Sequence, residues 1–278
     1  MEKLKDLAAI VAEAQRGELV FPTSVNAALA LQLVLADPDC HDEEVIRKVL
    51  AEPILAARAV ALANSAVFRS NGAALVTSVR AAVMRLGYRN LYTLAAAMVV
   101  RQFGAKIQDR ELRAQAEQLW RYTAHVSALA YVIAARVTRV DADTALFAGI
   151  MHEVGGFYLL GRADAMPGLL EDPEDWMGAA QEIIARELMK KLKVPEPVAN
   201  AVVALRGAVV GIPPEGLRDT LLLARHLSPV PCPLPRNEDS YPTHSAALAR
   251  YLDEHSEILA CLDDAAEDAK SMSSALLV

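Results

Sequence analysis

The residues whose types and spacing bear most directly on chemistry lie between Leu119 and Gly161, in the stretch LWRYTAHVSALAYVIAARVTRVDADTALFAGIMHEVGGFYLLG. Tyr122 and His125 stand one helical turn apart, and the doublet His152-Glu153 precedes Gly155-Gly156. Ionisable groups in an apolar helix need a partner, a shifted protonation state or a bound cation. Neutral imidazole and carboxylate are ligands for a divalent ion, and such an ion activates water for attack on phosphorus. His125, His152 and Glu153 supply three donors, enough for a zinc-type site with an open position. The alternative, which we adopt, is structural: His125 is a satisfied core or surface histidine, and His152-Glu153 is structural, with Glu153 paired with an arginine such as Arg121 or Arg225. HEVGG is not H-E-x-x-H, because Gly156 occupies the place of the second histidine. The chain contains no phosphate-binding G-x-x-x-x-G-K-[ST] loop and no G-x-S-x-G nucleophile elbow. Cys40-His41 has no second ligand nearby and reads as loop.

The chain must provide the elements that position these groups. Its 278 residues are 54% hydrophobic but only 5% aromatic, so the core is expected to be Ala, Leu and Val in closely packed helices. Three scattered cysteines without a framework suit a reducing compartment. The N-terminus lacks the continuous apolar stretch of a signal peptide, and no apolar run approaches the roughly 18 residues of a membrane span. A soluble cytoplasmic protein is expected. The net charge is −7, which argues against a nucleic-acid partner. It is unevenly spread: Arg80 to Arg121 carries eight basic against three acidic residues, while Asn237 to Val278 carries nine acidic against two basic. The basic stretch reads as solvated helix faces, with a local anion or partner surface as the alternative.

Apolar periodicity is helical throughout, with no sustained alternation of period two. Residues 2–16 form an amphipathic helix ended by Gly17. Thr23 or Ser24 caps a buried helix running to about Ala36. Asp42 caps the next, with Val45, Ile46, Val49 and Leu50 inward, and Pro53 opens a third through Leu55, Ala59 and Leu62. Asn64 is a helix-end hydrogen-bonder. After a turn at Ser70-Asn71-Gly72, Thr77-Ser78 caps two helices joined at Gly87. Helices are then expected over 115–138, 143–160, 176–192, from Pro195 to about Arg206, and across LRDTLLLARHL. Residues 229–242 read as an extended proline-rich linker, 243–262 as a helix, and the acidic end from about Asp263 as frayed.

The succession FPTSVNAALAL, EPILAARAVALANSA, VTSVRAAVMRLGYRNLYTLAAAMVV, LWRYTAHVSALA and ALFAGIMHEVGGFYLL resembles the HDOD family, the HD-related output domains. These are degenerate relatives of the HD-superfamily metal phosphohydrolases. The resemblance covers about residues 17–227 and implies an all-α, multi-helix fold, with an N-terminal helical part over 17–112 packed on an HD-like bundle over 113–227. Residues 1–16 would be a preceding helix, and 228–278 a linker, a C-terminal helix and an acidic tail.

Active HD enzymes hold metal with a histidine on an early helix, a His-Asp doublet on a second and a distal aspartate. The resemblance places the early histidine at Tyr122 and the doublet at His152-Glu153. Later ligands fall near Leu205-Arg206 and Arg225. Tyr122 is no ordinary ligand, Glu153 is one methylene longer than aspartate, and Arg206 and Arg225 would repel a cation. The pocket residues Tyr122, His125, His152, Glu153, Arg206 and Arg225 are therefore expected to form a degenerate pocket with no catalytic metal and no cofactor. The resemblance implies a non-catalytic regulatory module in bacterial signal transduction, acting through protein partners. A divergent metal phosphohydrolase using His125, His152 and Glu153, or a sensor of an anionic ligand such as a nucleotide, are the alternatives.

Overall fold

Proline at the first helical turn, side-chain caps and apolar stripes set the helix boundaries in the computed structural model. The structure describes residues 2–21, 30, 31, 34, 35, 37, 40–69, 73–235 and 242–277, with backbone alone for 2, 3 and 242–245. The expected cap at Thr23 or Ser24, most of the helix that follows it, and the turn at Ser70–Gly72 lie outside the described residues. Those residues contain helices and connections but no strand. None of the helices is long and apolar enough to cross a membrane.

The N-terminal part comprises α1 (Glu2–Gln15), α2 (Asp42–Leu50), α3 (Pro53–Ala63) and α4 (Val79–Gln102). Pro53 occupies the first turn of α3, and Leu55, Ala59 and Leu62 are fully buried beneath it. Asp42 is not the cap of α2. His41 holds that position without a side-chain bond, and Asp42 lies in the first turn, where it accepts the Tyr88 hydroxyl proton. Leu50, expected inward, is exposed. Asn64 at the end of α3 bridges to the backbone of Val76, accepting its N–H at 2.7 Å and donating to its carbonyl at 2.8 Å. That pair closes the loop leading into α4. Ser78 caps α4 by accepting from Ala81 N–H at 3.2 Å. Gly87 breaks the helical path at φ 71° and ψ 170°, a backbone region essentially reserved for glycine.

The second half is built on α5 (Arg110–Ile133), which ends in a π-helical turn over Ala134–Thr138. Asp109 caps it, its carboxylate accepting the backbone N–H groups of Glu111 and Leu112, each at 2.9 Å. Leu119, Val126, Ala130 and Ile133 are buried, as their spacing predicts. Around α5 stand α6 (Ala142–Met151), α7 (Val154–Ala163), the short α8 (Pro173–Trp176), α9 (Ala179–Lys191), α10 (Glu196–Val203) and α11 (Gly216–His226). One helix expected over 143–160 is thus two, parted at His152-Glu153.

The halves are joined by polar ties. Arg89 on α4 pairs with Asp141 and donates to Thr144 Oγ1 at 2.9 Å. The Tyr92 hydroxyl meets the carbonyls of Leu192 and Lys193, each at 3.0 Å. Arg162 on α7 reaches Glu13 on α1 at 2.7 Å. So the first helix is part of the packed molecule, lying mainly against α9.

The C-terminal region corrects two expectations. The helix expected over 243–262 is α12 (Pro242–Glu254) followed by α13 (Ser256–Asp264). The end expected to fray is α14 (Ala266–Leu277), with Ala269, Met272, Ala275 and Leu276 buried against α5 and α3. Ser271 Oγ accepts the N–H of Ala66 at 3.0 Å, tying the tail to the loop after α3.

Met272→Ala is accordingly expected to cost about 2–5 kcal/mol of stability in urea unfolding, where a frayed tail would show no change. A second outcome concerns the tie at Asp141. Its pKa falls to about 2, first through the Arg89 hydrogen bond and then through Thr144, against the opposing effect of burial. A folded-state pKa below the unfolded one stabilises above the unfolded value and is lost as pH falls through the folded value. Asp141 and Arg89 are 52% and 60% exposed, so solvent screening holds the contribution below about 1 kcal/mol. Asp141→Asn should lower stability slightly at neutral pH, and its gap from the parent should close as pH falls below about 4.

Candidate functional site

The doublet is positioned by a close helix contact. All residues from Ala145 to Met151 of α6 are buried, and Gly149 lies so near α5 that a Cβ there would stand 2.5 Å from Ser127 Cα. Helix α6 ends at Met151, and its last carbonyls lack helical partners. His152 satisfies one of them: its Nδ1 bonds the carbonyl of Gly149. Glu153 follows at φ −114° and ψ 19°, which turns the chain into α7. The histidine at this junction therefore terminates one helix, and its Nε2 is directed to the Glu153 carboxylate at 3.9 Å. Both side chains are almost wholly buried. The Tyr122 ring packs on the imidazole with centroids 5.4 Å apart and planes tilted by 59°.

Beside the doublet is a cavity of about 90 Å³. Arg206 and Arg225 line it together with His152 and Glu153. The structure thus brings four of the six expected pocket residues to one cavity, with Tyr122 in contact with His152. His125 does not line it. That residue is half-buried, and burial lowers its pKa below the usual histidine value, so it is neutral at pH 7. Arg206 reaches Glu182 Oε2 at 3.5 Å.

Sequence reasoning missed Gln181 and Glu182 on α9, and Leu234 in the segment read as linker. The readable signal was Gly155-Gly156. A Cβ on Gly155 would meet the Gln181 carbonyl at 3.1 Å, and one on Gly156 would meet Leu234 Cδ1 at 2.6 Å. The second glycine is where α7 accepts a side chain of the proline-rich segment. Leu234 is buried there, so residues up to Pro235 dock on the bundle.

The donor set does not fit a divalent cation. Among the described residues no three His, Cys, Asp or Glu side chains stand together as a ligand group. One nitrogen of His152 is taken by a backbone carbonyl, an aromatic ring covers the imidazole, and two guanidinium-bearing side chains line the same space.

Comparison with known families matches the HDOD domain over residues 21–202. The chain belongs to the HDOD family. Curated proteins give no significant match. Among solved structures, the HDOD chain is similar to a candidate metal-dependent phosphohydrolase from Shewanella amazonensis SB2B, at 19% identity and a TM-score of 0.71, covering 99% of this chain and 100% of that one. It is also similar to an HDOD domain protein of unknown function from Geobacter sulfurreducens, at 19% identity and TM-score 0.62, with 98% of each chain covered. A candidate signal transduction protein from Marinobacter aquaeolei VT8 matches at 19% identity and TM-score 0.50, over 93% of this chain and 59% of that chain. At such identities the likeness speaks for the fold. It places this HDOD chain in an all-helical, HD-like architecture.

If His152 serves to end α6, His152→Ala should destabilise the protein by about 1–3 kcal/mol, the penalty of leaving a buried carbonyl unpaired. Urea unfolding reads this directly. A histidine surviving only as a vestigial ligand would be replaced without loss.

Proposed function

We propose that this HDOD protein is a non-catalytic regulatory module that acts through protein contacts in a bacterial signalling pathway. The carrying observation is the cavity at His152, where Arg206 and Arg225 stand beside the imidazole and the doublet carboxylate. Lewis-acid hydrolysis needs a cluster of anionic and neutral donors, and fixed positive charge beside it opposes cation binding. Membership of the HDOD family supports the regulatory role, as does likeness of fold to the Marinobacter protein named for signal transduction.

The divergent-phosphohydrolase reading needs His125, His152 and Glu153 to converge, and His125 is absent from the cavity lining. The nucleotide reading needs room: about 90 Å³ holds a few waters, whereas sites for organic ligands of that size run to about 300 Å³ or more. The regulatory reading places the protein in the cytoplasm, free of membrane and nucleic acid, in keeping with three widely spaced cysteines and a net charge of −7.

The test is metal content and turnover of the untagged protein after dialysis against a non-chelating buffer. Less than about a tenth of an equivalent of transition metal is expected, because a site with three good ligands would retain it. No hydrolysis of phosphodiesters or nucleotides should appear with added manganese or magnesium. About one equivalent of metal, lost in His152→Ala, would overturn the reading.

A further inference from the structure

A larger cavity, of about 430 Å³, lies apart from His152 between the end of α4, the first half of α5 and the last residue of α14. Its lining includes Arg101, Arg113 and Arg121, with Glu117 the one carboxylate among them. Arg113 is held in place by its bonds to the carbonyls of Ile107 and Gln108, at 2.9 and 3.0 Å. Arg101 lies 5.9 Å from the centroid of Trp120. Neither Arg101 nor Arg121 makes an ion pair among the described residues. Their charge is left for something else to neutralise.

Two buried groups indicate that the charge is concentrated here. Trp120 lines the cavity and is 4% exposed, yet its indole N–H has no acceptor among the described residues. Arg58 on α3 is also 4% exposed, and its Nε has no hydrogen-bond partner there. Burial, and then the charge of Arg101, lower the Arg58 pKa to about 10. Buried donors are almost always satisfied, and a buried cation is ordinarily paired. Here two guanidiniums sense each other, and no carboxylate among the described residues pairs with either. An anion beside Arg101 would relieve the repulsion.

We propose that this cavity binds a small phosphate ester. Its anionic group lies among Arg101, Arg113 and Arg121, and its organic part lies against the apolar lining of Ala116 and Leu277. Guanidinium groups match phosphate oxygens in paired hydrogen bonds. Several arginines suit the multiple charge of a phosphate better than the single charge of a carboxylate. The volume is that of an organic ligand, not of a lone ion. The basic run of the sequence thereby acquires a purpose beyond solvation of helix faces.

Calorimetric titration of the full chain with AMP and with pyrophosphate tests the proposal. Saturable binding is expected, weakened about tenfold or more in Arg121→Gln and in Arg101→Gln, the loss of one charged hydrogen-bond donor set. Arg121 is exposed, so its substitution leaves folding intact and keeps the test decisive even if Arg101→Gln is unstable. Arg47→Gln removes the same charge from distant α2 and should leave affinity unchanged. Absence of binding to either probe up to about 10 mM would overturn the proposal. So would an equal loss in Arg47→Gln, or succinate binding as tightly as AMP. The outcome is independent of metal content, so it leaves the regulatory reading standing in either case.

Discussion

The approach of α6 to α5 governs the rest of the second half. From Ala145 to Met151 helix α6 is apolar and buried on every side, so it must be surrounded, and α5 is its principal neighbour. Only glycine at position 149 permits the separation, because a Cβ would collide with backbone at Ser127, which cannot rotate away. Ser127 satisfies its hydroxyl within its own helix by donating to the Thr123 carbonyl at 2.6 Å, so the close contact leaves no open donor there. Once the helices are that close, the end of α6 is also buried, and its orphan carbonyls cannot turn to water. The imidazole of His152 then supplies a partner from within the chain, and Tyr122 on α5 closes over the ring. The side chain that suggests metal chemistry in the sequence is consumed by a packing requirement three residues earlier.

That dependence explains which parts of the fold were legible. Boundaries written by local chemistry were read correctly: Pro53 opening α3, Ser78 capping α4 and Gly87 breaking α4. Asn64 was read as a helix-end hydrogen-bonder, though its partner Val76, twelve residues on, lay beyond any local pattern. The division between α6 and α7 was missed because Leu146, Ile150, Val154 and Tyr158 keep four-residue spacing straight across it. A junction that preserves the phase of the apolar stripe leaves no trace in periodicity. The buried tail was missed for a different reason. Ala269, Met272, Ser273 and Leu276 keep helical spacing, but small residues and neighbouring acids masked the stripe. Leu234 was hidden because a docked side chain in a proline-rich segment is a long-range event, signalled only by the glycine at 156 that receives it.

Of the candidate site, the composition was readable and the arrangement was not. Position-by-position resemblance named His152, Glu153, Arg206 and Arg225, which share a cavity. It also named Tyr122, whose ring packs against the histidine at a tilt. His125 was added from helical spacing alone, since it lies one turn from Tyr122. A single turn advances about 300° for three residues, so the two side chains diverge by some 60°, and a divergence of that size separates a lining residue from a neighbour. Ligand geometry tolerates far less error than membership of a helix face.

The two cavities differ in how their charge is answered. At His152 the positive side chains come with carboxylates: Glu153 lines the same space, and Glu182 reaches Arg206. Opposite charges at short range in a space of a few water volumes leave little field to attract a ligand. At Trp120 three arginines share a larger space with one exposed glutamate, and a buried arginine behind the same charge lacks a hydrogen bond at Nε. A protein that had merely lost its metal would show the first arrangement. The second gathers like charge at a half-open cavity with one carboxylate to answer it, an arrangement that an anion occupying the space would balance. In this fold the place to look for a signal is therefore beside α14, away from the vestige of the HD doublet.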